Sequence, residues 1–169
     1  MTFGKIANMN QAYIHLLINH LPIIGSILGG LVLVHGLWTK SNHTKIAAYN
    51  ILIISTIGAV IAYLTGEGAE EAVEKIQGIS KSMISQHEDF ALISLIALII
   101  LGTTSLIGLF FTLRKSSFSR PIAFIVLFIS LISFGLIART GYLGGQIRHT
   151  EINGGNAIQT QGEKIKDDD

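Results

Sequence analysis

The sequence predicts an all-α integral membrane protein folded as a four-helix up-down bundle, and three observations carry that prediction. Residues 12–38, 46–65, 88–113 and 121–145 are long, predominantly apolar runs, and roughly 20 such residues cross a bilayer core. Of the 169 residues, 49% are hydrophobic and only 14% charged, whereas soluble domains carry about 25% charged residues. Lysine and arginine collect in two of the short connections and the acids in the third.

The first run, 12–38, holds no formal charge, although His15, Asn19, His20 and His35 lie in it. It is too long for a signal-peptide core, so the first helix is expected to be retained. Runs two and three are free of charge over residues 46–65 and 90–113, and Arg139 interrupts the fourth. Each is apolar around most of its circumference, as lipid-immersed helices are. The first connection carries Lys40 and Lys45, the third Arg114, Lys115 and Arg120, and neither has an acid. The middle one sets Glu67, Glu70, Glu71, Glu74, Glu88 and Asp89 against Lys75 and Lys81. By the positive-inside rule, connections one and three are cytoplasmic, and both termini face the periplasm from a bacterial inner membrane. The bilayer is the expected partner.

Within the middle connection, residues 70–77 read as a short amphipathic helix with Ala72, Val73 and Ile76 on its apolar side, closed by Gly78. Ser80 is then an N-cap for a helix running through His87 into the third span. The bundle is expected over 1–153, and the polar tail 154–169, ending in three aspartates, reads as disordered.

The composition also excludes function classes. A net charge of +1 gives no electrostatic footprint for nucleic acid. The absence of cysteine removes disulfides, thiolate zinc sites, cysteine-ligated clusters and C-x-x-C-H haem attachment.

At 1.5 Å per residue, about 18 residues above the cytoplasmic helix ends put His20 and Arg139 at ~27 Å. Glu67 and His15 come out at ~34 Å and His87 at ~39 Å. His149 would stand at ~42 Å in a regular helix, although Gly144 and Gly145 are expected to interrupt the fourth helix before it. These residues therefore gather at the outer end. His43 fits a solvated loop position, and His35, beside Trp38, an interfacial one. His15 can serve as an interface anchor. His20 stands inside the apolar run between Asn19 and Pro22. Intramembrane ionisable groups are costly and mark functional sites by default, and Pro22 opens the helix locally. Arg139 carries the same cost, unless it pairs with Glu67 or snorkels to the headgroups. Gly25-Ser26-Ile27-Leu28-Gly29 is a G-x-x-x-G pattern on a face turned away from His20.

His20-Leu21-Pro22-Ile23, Thr65-Gly66-Glu67, His87 opening the third helix and Gly141-Tyr142-Leu143-Gly144-Gly145-Gln146-Ile147 closing the fourth together resemble a family of bacterial four-span membrane proteins. Its first-helix signature is His-Phe-Pro-Ile, with leucine here in place of phenylalanine. The resemblance runs to about Asn153. Some members are fused to Rieske-type iron–sulfur domains, so the resemblance implies a redox setting.

Three functions follow as alternatives. One is a haem b-binding electron-transfer protein, possible because bundle cores hold cofactors between facing helices and histidine ligates haem iron. His20 and His87 would then be the ligands, with His15 or His149 as replacements. Arg139 would meet a propionate, with Tyr142 or Arg148 nearby. Against that pair, the counted depths differ by ~12 Å. The second is a non-haem zinc, iron or copper site built from His20, Glu67, His87, Glu88 and His149, with His15 an alternate. The third is a structural or assembly subunit without cofactor. Redox membrane subunits or a periplasmic electron carrier are the expected partners. An electron carrier or subunit is expected rather than an enzyme in its own right.

Overall fold

A computed structural model describes residues 3–73 and 81–148, and among these there are six helices and no strand. They are α1 (Phe3–Ile18), α2 (His20–Trp38), α3 (Asn42–Leu64), α4 (Gly66–Val73), α5 (Lys81–Leu113) and α6 (Ser119–Arg148). Four stretches are long and apolar enough to cross a membrane: Gln11–Trp38, Asn42–Leu64, Lys81–Leu113 and Ser119–Ile147. The exterior is consistent with that role. Ile24, Leu28, Leu31, Ile57, Ile99, Phe110, Phe128 and Leu131 are all exposed, a belt far larger than a water-soluble monomer presents.

The first apolar run carries a one-residue irregularity at Asn19, between α1 and α2, where the backbone itself stays helical (φ −59°, ψ −22°). Pro22 has no N–H to give the carbonyl of Ile18, and its ring crowds that carbonyl. The irregularity accordingly falls between Ile18 and His20, with Asn19 still bonded through its N–H to the His15 carbonyl at 2.9 Å. Beyond it, small residues on α2 admit the neighbouring helices. A β-carbon on Gly25 would stand 2.7 Å from Ser55 Cβ, and one on Gly36 would stand 3.0 Å from Lys45 Cγ.

The pairings run in opposite directions along each contact. On α2 and α3, Gly25 meets Ser55, Gly29 meets Leu52 and Gly36 meets Lys45. On α3 and α5, Tyr49 meets Gly108, and the Thr56 hydroxyl donates to the Leu98 carbonyl at 2.8 Å. On α5 and α6, Ser94 bonds Thr140 at 2.8 Å and Ser133 donates to the Ala97 carbonyl at 3.2 Å. Helix α6 returns to α2, where the Ser130 hydroxyl donates to the Ser26 carbonyl at 3.0 Å. The four long helices thus close a ring in chain order. Its core combines Leu33, Tyr49, Leu52, Leu98, Leu101 and Val126 with buried serines. Close packing of small residues and interhelical hydroxyl bonds is what joins helices where lipid removes the hydrophobic drive.

The connections after α2 and after α5 use one device. After α2 the Ser41 N–H reaches back to the Gly36 carbonyl, and after α5 the Ser116 N–H reaches the Phe111 carbonyl, each at 3.0 Å. These are Schellman caps, whose left-handed residue is usually glycine. Here it is Lys40 (φ 53°) and Lys115 (φ 50°).

The middle connection departs from expectation at its start. The helix there begins at Gly66 rather than Glu70 and packs on α1, with Gln11 against Gly68; residues 74–80, including Gly78 and the Ser80 cap, lie outside the described residues. Nor do Gly144 and Gly145 interrupt the last helix, which runs to Arg148. A glycine costs a helix interior only about 1 kcal/mol, and the space at Gly144 is filled by a partner described below.

Candidate functional site

About 20 residues from the ends joined by the α2–α3 and α5–α6 connections, a ~30 Å apolar core brings the helices to Asn19, Ile61, Ser94 and Ala138. The irregularity in the first run therefore falls at the outer boundary. At 33 and 30 residues, α5 and α6 are ~50 and ~45 Å long and rise beyond it. There they meet α1 and α4.

Two histidines are built into this outer end by similar contacts. His15 Nδ1 lies 2.8 Å from the Ala62 carbonyl, in the last turn of α3. Such terminal carbonyls have no partner within their own helix, and Thr65 Oγ1 shares this one at 3.2 Å. His87 Nδ1 lies 3.0 Å from the Thr140 carbonyl of α6. The ring reaches it because Gly144, one turn later, has no side chain: a β-carbon there would stand 3.1 Å from His87 Cε1. Thr140 is fixed in turn by its hydroxyl, bonded to Ser94 at 2.8 Å and to the Leu136 carbonyl at 3.2 Å.

The tautomers follow from the partners. A carbonyl can only accept, so Nδ1 carries the proton in both rings, and Nε2 presents a lone pair whenever the ring is neutral. His15 and His87 are half-buried and lie within electrostatic reach of each other. Near them Asn19, one turn after His15, has a buried side-chain oxygen without a hydrogen-bond partner.

The remaining predicted residues are distributed around this pair. His20 is exposed on the outer surface of α2, because Pro22, Gly25, Ser26 and Gly29 form that helix's buried face. His15 and His87, unlike His20, are each half-buried and bonded to a backbone carbonyl. Glu67 is exposed. Arg139 is exposed too, and its guanidinium lies over two rings, 5.8 Å from the centroid of Phe90 and 5.3 Å from that of Tyr142. The Tyr142 hydroxyl accepts from Gln146 Nε2 at 2.8 Å. His149 lies outside the described residues. Among the described residues, no three His, Asp or Glu side chains are grouped to hold a metal ion.

A pair of acids caps the same end. Glu70 on α4 stands close enough to Glu88 on α5 for the two carboxyl groups to share a proton. That sharing first, then burial, then the charges of Glu88 and Glu71, raise the Glu70 carboxyl from 4.5 to about 7.

The residues that sequence reasoning left out are Asn19, Ser94 and Thr140, together with Gly144 as an imidazole cradle. Only Asn19 carried a signal, as a polar residue one helical turn from His15. No family model, curated protein or solved structure matches the chain, so the resemblance of its motifs finds no further support there.

Proposed function

We propose that the protein is a haem b-binding electron-transfer protein of the bacterial inner membrane, in which His15 and His87 would hold the haem. What carries the proposal is the paired anchoring of two imidazoles. Each donates Nδ1–H to a backbone carbonyl and keeps Nε2 free, the arrangement that orients ligating histidines and raises their basicity. Haem takes two protein ligands, whereas a bare zinc or iron ion takes three or four, and His15 and His87 are the two imidazoles anchored in this way. The counted depths agree, since His15 and His87 differ by ~5 Å against ~12 Å for His20 and His87.

The chain's own residues then divide the work. Ala62 and Thr140 hold the two rings, and Gly144 makes room for one of them. Arg139, on its aromatic platform, is placed to meet a propionate at the rim. Haem would supply one-electron exchange at a potential tuned by its ligands and burial. The antiparallel pairings support an up-down bundle, and the basic connections support placing both termini and this site on the periplasmic side. An electron carrier in the periplasm or another redox subunit of the membrane is then the natural partner.

A second reading has a specific observation behind it. His15 ties α1 to α3 and His87 ties α5 to α6, so both can act as staples in a structural subunit without cofactor. Absorption spectra of the detergent-purified protein, oxidised and dithionite-reduced, separate the two. A Soret band with a sharp reduced α-band supports haem b; a colourless protein from haem-replete cells supports the staple.

A further inference from the structure

At the opposite end of the bundle, Lys45 is 6% exposed. It lies three residues into α3, in the helix's first turn, and packs against Gly36 of α2. Its ammonium donates to Ser119 Oγ, at the start of α6, at 2.8 Å. Ser119 Oγ is itself 2.8 Å from Thr112 Oγ1 of α5. Facing Thr112 without closing a hydrogen bond is the hydroxyl of Tyr49, which is fully buried and has no partner.

This cluster is rich in donors and short of acceptors. An ammonium has three donors and no acceptor, and the phenol O–H is a fourth. Arg120, beside it, adds a second positive charge within reach of Lys45, and the amino-terminal dipole of α6 favours an anion at the same place. The chain's first acid is Glu67, and none occurs between Asp89 and Glu151, so every carboxylate lies in the middle connection or the tail. A buried cation without a counter-charge is expensive, and no described residue at this end of the bundle carries a carboxylate.

We propose that Lys45, Ser119 and Tyr49, with Arg120 at the rim, form a binding site for a phosphate group, presented by an anionic phospholipid of the cytoplasmic leaflet. The site is independent of the histidine pair. It ties α3, α5 and α6 to the lipid at a level where, among the described residues, the bundle buries a charge that it does not balance.

The test is the thermal midpoint, followed by circular dichroism, of the full chain in phosphatidylcholine nanodiscs with and without phosphatidylglycerol. The wild type is expected to gain roughly 5 °C with phosphatidylglycerol. Lys45→Arg keeps that gain, Lys45→Met loses it, and Lys40→Met, which removes an exposed cation from the same face, leaves it intact. Should Lys45→Met fail to fold, Tyr49→Phe removes the unpartnered hydroxyl alone and is expected to reduce the gain. An equal gain in wild type, Lys45→Met and Tyr49→Phe overturns the proposal, as does no gain in the wild type. A gain from inorganic phosphate that matches the gain from lipid and vanishes in Lys45→Met overturns the lipid as the source and leaves free phosphate as the ligand.

Discussion

The ring of His87 lies over Gly144, where a β-carbon would stand 3.1 Å from Cε1 and 3.4 Å from Nδ1. The glycine is thus a seat for an imidazole, and α6 stays helical through it. Gly144→Ala pushes the ring by a few tenths of an ångström and stretches its bond to the Thr140 carbonyl. The expected cost is about 1 kcal/mol, read as a lower thermal midpoint by circular dichroism. Gly145→Ala, where nothing lies within 4 Å, is expected to be neutral or slightly stabilising.

The contact between Gly25 and Ser55 has less give. An added β-carbon meets Ser55 Cβ at 2.7 Å and its backbone Cα at 3.4 Å, and neither atom can rotate away. Gly25→Ala is therefore expected to part α2 from α3 and cost about 1–3 kcal/mol. A midpoint equal to wild type in the same assay would contradict this close approach.

Lys40 and Lys115 hold left-handed conformations that glycine adopts freely. Replacing either with glycine relieves strain of about 1 kcal/mol, offset in part by the entropy of glycine in the unfolded chain. Each single variant is expected to match or exceed wild-type stability. Alanine at either position retains the strain and is expected to gain nothing.

The Glu70–Glu88 pair makes stability depend on pH. In the unfolded chain Glu70 ionises near 4.5, while in the fold it holds its proton to about 7. Its contribution is complete below pH 4.5, falls as pH rises, and is lost above about 7. Glu70→Gln keeps a donor toward Glu88 without the charge. The variant is expected to equal wild type at pH 4.5 and to exceed it at pH 8 in thermal midpoint. A constant difference across that range would show that the acids do not share a proton.

The parts of the fold legible in the sequence are those set by local composition. The four apolar runs and the segregation of Lys40, Lys45, Arg114, Lys115 and Arg120 from the acids needed no tertiary information. The irregularity at Asn19 was foreshadowed by Pro22, whose effect on the carbonyl four residues earlier is purely covalent. The histidine pair was legible only in part. His20 drew attention because it stood in the longest uncharged run, yet its direction depends on which face of α2 buries Gly25 and Gly29 against α3. The depth count brings His15 closer to the level of His87 than His20. The anchors Ala62 and Thr140 act through backbone carbonyls, which carry no sequence signature. Lys45 looked like an ordinary marker of the cytoplasmic side; its burial follows from the nearness of Gly36 and Ser119.

The most direct test of the central claim is a pyridine haemochrome assay, with reduced-minus-oxidised spectra, on purified wild type, His15→Ala, His87→Ala and His20→Ala. The account predicts one haem b per chain in wild type and in His20→Ala, with binding lost or converted to a high-spin spectrum in His15→Ala and His87→Ala. A colourless wild type, or haem lost in His20→Ala while His15→Ala retains it, would contradict the account.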